Sequence, residues 1–243
     1  MPSTAVPVLL NPFPGLRPFR EDEEHLFFGR ESQVDTMIDN LARTRFLSVV
    51  GTSGSGKSSL VNSGLRPALH RGLMAKAGTS WRIAQFRPGS NPVRGMARAL
   101  ANKGVLFGDY KSEGVSLAEI IEATLNLSKL GLADIYEQAQ LDEGVNLLVV
   151  VDQFEELFRY RKVKAASANG EQYRSQEAAA FVNLLLEARA HASVPIYLVL
   201  TMRSDFLGDC AQFPGLAEAI NEGQYLVPRL TRDERKAAIT GPV

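Results

Sequence analysis

Short apolar runs alternate along this chain with longer stretches of helical spacing. Phe46-Leu-Ser-Val-Val50, Trp81-Arg-Ile-Ala-Gln-Phe86, Leu147-Leu-Val-Val-Val151, the run over 195–202 and Gln224-Tyr-Leu-Val227 each read as a strand. The run over 147–151 is continuously apolar, the pattern of a strand buried on both faces. Val34, Met37, Ile38 and Leu41 recur at helical spacing ahead of the first strand. Phe181, Leu184, Leu185 and Ala188 do the same in a long helix near 174–190. Further helices are predicted from the end of a glycine-rich turn to about Leu69, and near 92–102, 116–128 and 131–140. Thr231-Arg-Asp-Glu234 opens a last helix with a capping box. Strands that alternate with helices predict an α/β fold: a three-layer sandwich around a mostly parallel, five-stranded, doubly wound sheet. Ligands of such sheets bind at the carboxyl ends of the strands.

The first twenty residues do not fit this alternation. They hold five prolines, which excludes a helix or a central strand. Phe13, Leu16 and Phe19 favour an arm packed on the core over a disordered lead-in, because disordered tails are poor in aromatics. The expected division is an arm over 1–28 and one domain over 29–243.

The glycine-rich turn after the first strand carries the strongest chemistry. Gly51-Thr52-Ser53-Gly54-Ser55-Gly56-Lys57-Ser58 has the spacing of a phosphate-binding loop between a strand and a helix. Backbone N–H groups in such a turn point at an anion, and the following helix adds its dipole. Lys57 is expected at the β/γ-phosphates and the Ser58 hydroxyl on Mg²⁺, with Ser59 continuing the helix. The loop alone binds nucleotide; hydrolysis also needs a metal anchor and a group that orients water. Asp152 ends the strand 147–151 and is expected in the metal shell. Glu155 and Glu156 lie on the turn that follows, and one of the two is expected to polarise the attacking water. Arg203 ends the strand 195–202 and is expected to sense the γ-phosphate, against the alternative of an ion pair with Asp205 or Asp209.

Composition narrows the setting. Lys+Arg and Asp+Glu both number 27, so no basic field argues for a nucleic-acid partner. The basic run from Arg159 to Lys164 reads as a solvated face before a binding patch. One cysteine, Cys210, excludes an internal disulfide and reads as a small buried hydrophobe. His25, His70 and His191 have no metal-ligand spacing. No apolar stretch approaches the ~18 residues of a membrane span, and no signal-peptide pattern opens the chain. The expected location is the cytoplasm.

Taken in order, five blocks resemble those of the novel STAND NTPase 1 family. They are Asn11-Pro-Phe-Pro-Gly-Leu-Arg-Pro-Phe19, Phe28-Gly29-Arg30-Glu31, the loop 51–59, Val151-Asp-Gln-Phe-Glu-Glu-Leu-Phe158 and Thr201-Met-Arg-Ser-Asp205. The resemblance implies an ATP/ADP switch with Mg²⁺ that couples nucleotide exchange to homo-oligomerisation. It implies that Phe28, Gly29 and Arg30 contact adenine or ribose, and that Gly241-Pro242 begins a lid that touches the base. It also implies further lid, repeat and sensor segments, so the chain reads as the NTPase core alone. Gln153 departs from many other P-loop ATPases, which carry the catalytic acid at this position. A nucleotide-stabilised interaction module with negligible turnover is the alternative. A GTPase reading lacks its Asn-Lys-x-Asp motif, since the Asn-Lys at 102–103 continues Gly104-Val105.

Overall fold

The computed structural model describes residues 11–108, 110, 114–163 and 168–243. Five strands form one sheet: β1 (Phe46–Gly51), β2 (Trp81–Phe86), β3 (Asn146–Val151), β4 (Ile196–Arg203) and β5 (Gln224–Leu226). Their spatial order is β2-β3-β4-β1-β5, and every pairing is parallel. The α/β sandwich expected from the pattern is therefore the observed fold. All residues of β1 and β3 are buried, the polar Ser48 and Asn146 included, as strands covered on both faces require.

The two-residue period of the strands splits the core into two layers. Leu147, Val149 and Val151 face one layer, with Ile196, Leu198 and Leu200. Helices Pro92–Leu100, Leu117–Leu127, Gly131–Gln138 and Ala168–Ala190 cover that side. Leu148, Val150, Leu47 and Val49 face the other, under helix Glu31–Thr44 and the helical run from Lys57 to His70. Ser116 and Thr231 cap their helices through capping boxes with Glu119 and Glu234. Cys210 is buried, and burial pushes its thiol up to about 12.

Several short elements lie between the expected ones. They include the 3₁₀ turns Glu21–Leu26 and Ser204–Gln212 and the helices Glu156–Val163 and Leu216–Gly223. Each is too short to show a helical period against its polar neighbours. Helix Leu216–Gly223 ends against the start of β1. A methyl group on Gly223 would overlap the Phe46 carbonyl oxygen, a backbone atom that cannot rotate away. Gly223→Ala is expected to cost about 1–3 kcal/mol from overpacking, read as a lower urea midpoint with unchanged slope. An unchanged midpoint would mean the helix end shifts freely.

Residues 19–21 lie along the helical run from Lys57. Phe19 N donates to Ser59 Oγ (3.2 Å), Asn62 Nδ2 to Phe19 O (3.2 Å), Ser63 Oγ to Arg20 O (2.6 Å) and Arg66 Nη2 to Glu21 Oε2 (2.5 Å). Residues 1–10 of the expected arm lie outside the described residues.

Candidate functional site

Parallel pairing brings all strand ends to one edge. Register sets Gly51 of β1 beside Arg203 of β4, and Phe86 of β2 beside Val151 of β3. The next residue along β3 is Asp152, whose N–H donates to Phe86 O at 2.8 Å. The glycine-rich loop, Asp152, Arg203 and the turn 152–155 thus share one mouth.

Within the loop, Gly54 and Gly56 have φ of +75° and +87°, the left-handed region that side chains resist. Gly51 is tight for a different reason: an added methyl would lie 2.7 Å from Ser55 Oγ, which would have to turn away. Thr52, Ser53, Gly54 and Gly56 are exposed, while Ser55, Lys57, Ser58 and Ser59 are half-buried. Lys57 Nζ donates back to Gly51 O (3.0 Å) and Thr52 O (2.7 Å), so its ammonium lies across the mouth of the loop. Burial pushes the Lys57 ammonium below its ordinary range, and the nearby Glu155 carboxylate opposes that shift.

Ser58 Oγ donates to Asp152 Oδ1 at 2.8 Å, and Thr201 Oγ1 donates to the same oxygen at 2.7 Å. Asp152 Oδ2 faces Arg87 Nε at 3.4 Å. Adjacent hydroxyl and carboxylate oxygens are a hard donor set that fits a divalent cation such as Mg²⁺. Among the described residues no group of three or more His, Cys, Asp or Glu side chains is arranged to hold a metal. An ion here would complete its shell with phosphate and water, the usual habit of Mg²⁺.

The two glutamates occupy different surroundings. Glu155 is 5% exposed, and among the described residues its Oε2 has no hydrogen-bond partner. Such a carboxylate oxygen is costly unless something polar joins it. Glu156 is half-buried and already engaged, its Oε2 accepting from Gly89 N at 3.0 Å. Arg203 grips Asp205 through Nε (3.0 Å) and Nη2 (2.6 Å), the ion pair left open by the sequence. That carboxylate raises the Arg203 pKa further. The Arg203 and Arg159 guanidinium groups lie over the Phe206 ring, 5.8 and 5.4 Å from its centroid. Lys162 and Lys164 of the basic run lie outside the residues whose side chains are described.

Phe28, Gly29 and Arg30 lie against the 228–241 segment that follows β5 and runs into Pro242. Arg30 Nη1 donates to Pro228 O at 3.0 Å, and burial lowers its pKa. Gly29 has φ +76° and lies under the backbone of Glu234, where no side chain fits. The Phe28 ring backs onto Gly241, so a methyl there would overlap it. Sequence reasoning passed over Thr201 and Arg87. The signal for Thr201 was a hydroxyl in an otherwise apolar run; Arg87 had none beyond its position after a strand.

A family model described as Novel STAND NTPase 1 matches residues 12–243. No curated protein matches the chain. Among solved structures, the chain is similar to Cdc6p from Pyrobaculum aerophilum at 16% identity and a TM-score of 0.42. The match covers 92% of this chain and 50% of that one, so the chain spans half its length.

Proposed function

The chain belongs to the Novel STAND NTPase 1 family, and we propose that it is an ATP-binding, slowly hydrolysing switch that couples ADP/ATP exchange to oligomerisation. The observation that carries this reading is the edge where loop 51–58, Asp152, buried Glu155 and Arg203 meet. The arm expected over 1–28 docks on the domain 29–243 through Phe19, Arg20 and Glu21, whereas Phe13 and Leu16, expected to pack with Phe19, are exposed; the cytoplasm is the setting that a single reduced cysteine suits.

Ser58 and Asp152 would hold Mg²⁺, which when bound neutralises charge on the transferred phosphoryl group. Lys57 exchanges its bonds to Gly51 O and Thr52 O for phosphate oxygens. Glu155 Oε2 orients the attacking water and accepts its proton, a role suited to a buried oxygen with no partner among the described residues. Glu156 holds the backbone of Gly89 in place instead. Arg203 turns from Asp205 toward the γ-phosphate, so that triphosphate and diphosphate leave β4 in different states. Phe28, Gly29, Arg30 and Pro242 line the adenine side.

The tight Arg203–Asp205 pair favours a second reading, an interaction module stabilised by nucleotide that turns over negligibly. Calorimetric titration with Mg·ATP, Mg·ADP and Mg·GTP tests the first claim. Adenine nucleotides are expected to bind at micromolar Kd or tighter, near −8 kcal/mol, with GTP at least ~10-fold weaker. Equal affinity for GTP would overturn the adenine assignment, and no binding of any nucleotide would overturn the site.

A further inference from the structure

β4 reaches the mouth of the site with a polar residue in an apolar strand. Thr201 is 1% exposed and follows the fully buried Leu198, Val199 and Leu200. A buried hydroxyl without partners is costly, and this one has two. Its single proton goes to Asp152 Oδ1 at 2.7 Å, and its lone pair accepts from Gln153 N at 3.0 Å. The Thr201 carbonyl then accepts from Phe154 N at 2.9 Å. One residue of β4 therefore ties down three successive residues after β3.

The middle residue shows why that hold matters. Gln153 has φ +57°, a left-handed conformation that costs a non-glycine residue about 1–2 kcal/mol. Such a turn persists only where its surroundings over-determine it. Here the bonds from Gln153 N and Phe154 N to Thr201 do so, and the turn leads directly into Glu155. At Asp152, Thr201 and Ser58 both donate to Oδ1, which leaves Oδ2 facing Arg87 across a long, part-buried contact. The Thr201 hydroxyl thereby chooses which carboxylate oxygen stays tied to the sheet and which stays available at the mouth.

We propose that Thr201 is a positioning residue for the metal and water sites: its hydroxyl aims Asp152, and through Gln153 and Phe154 it sets the turn that carries Glu155. The inference rests on the reading that Asp152 belongs to the metal shell. Partners that orient a metal ligand typically carry 10–100-fold in metal affinity. Thr201→Val keeps the shape and removes the donor; Thr201→Ser keeps the donor.

The test uses Mn²⁺ binding to the full chain saturated with ADP, followed by electron paramagnetic resonance, and ADP binding in EDTA, followed by calorimetry. Thr201→Val is expected to raise the Mn²⁺ Kd about tenfold, while ADP affinity in EDTA stays within about twofold. Thr201→Ser is expected to restore the Mn²⁺ Kd to within about threefold of the parent. An unchanged Mn²⁺ Kd in Thr201→Val overturns the proposal. An equal loss of metal-free ADP affinity also overturns it, since a merely structural role predicts that. Should Thr201→Val not fold, Thr201→Ala carries the same expectation. Asp152→Asn separates the two levels. If it leaves the Mn²⁺ Kd unchanged, the metal site itself falls; if it weakens Mn²⁺ and Thr201→Val does not, only the positioning role falls.

Discussion

Lys57→Ala is expected to weaken Mg·ATP binding by at least ~100-fold, about 3 kcal/mol. The ammonium is the cation that the cradle centres on its own mouth, bonded to Gly51 O and Thr52 O. It is half-buried, and burial works against its charge while Glu155 supports it. A bound phosphate takes the place of those two carbonyls, and an ammonium–phosphate bond joins two full charges, so it is stronger than the ammonium–carbonyl bonds it replaces. Removing the amine leaves developed negative charge facing carbonyl oxygens. Charged groups truncated inside a buried site cost 2–5 kcal/mol or more, and the lower part of that range already gives the expected loss. Calorimetry of ATP binding reads the effect, with the melting temperature of the variant as a check on folding. Unchanged affinity would remove the phosphate-site assignment.

Glu155→Gln is expected to lower single-turnover phosphate release by ~10²–10³-fold and to leave ATP affinity within about threefold. Gln is the same size and keeps an oxygen acceptor, but its amide cannot take a proton from water. Glu156→Gln is the matched control. Its carboxylate is spent on Gly89 N, so the variant is expected to lose less than about tenfold in rate, through a looser 87–89 turn. A large loss in Glu156→Gln with normal turnover in Glu155→Gln would reverse the assignment. A parent chain that binds ATP and releases no phosphate would favour the interaction-module reading over the switch.

The physical difference between these glutamates was not legible in the sequence. They are adjacent and identical, and lie three and four residues beyond Asp152 along the chain. Glu155 is buried beside Phe154, and its Oε2 has no partner among the described residues. The other opens helix Glu156–Val163, where its carboxylate reaches the neighbouring loop. Arg203 tells a similar story. Its position at the end of β4 follows from an apolar run, yet its capture by Asp205 depends on the 3₁₀ turn after the strand.

Local chemistry belonged to the sequence. The loop spacing, the acid after a continuously apolar strand and the capping box at Thr231 are all rules that act within a few residues. Periodicity was likewise enough for the alternation of strands and helices, because burial on one face or two imposes a period on the residues themselves. Strand order was not determined in this way. The order β2-β3-β4-β1-β5 inserts β4 between the strand of the loop and the strand of Asp152. That insertion is what carries the Thr201 hydroxyl to Asp152 and Gln153, across 49 and 48 residues of chain. The same long-range packing gathers Phe28 and Arg30 against 228–241, where Gly29 yields to the backbone of Glu234. Contacts of this kind leave no period and no local motif. They are decided by which hydrophobic faces cover one another, and only the folded sheet records that choice.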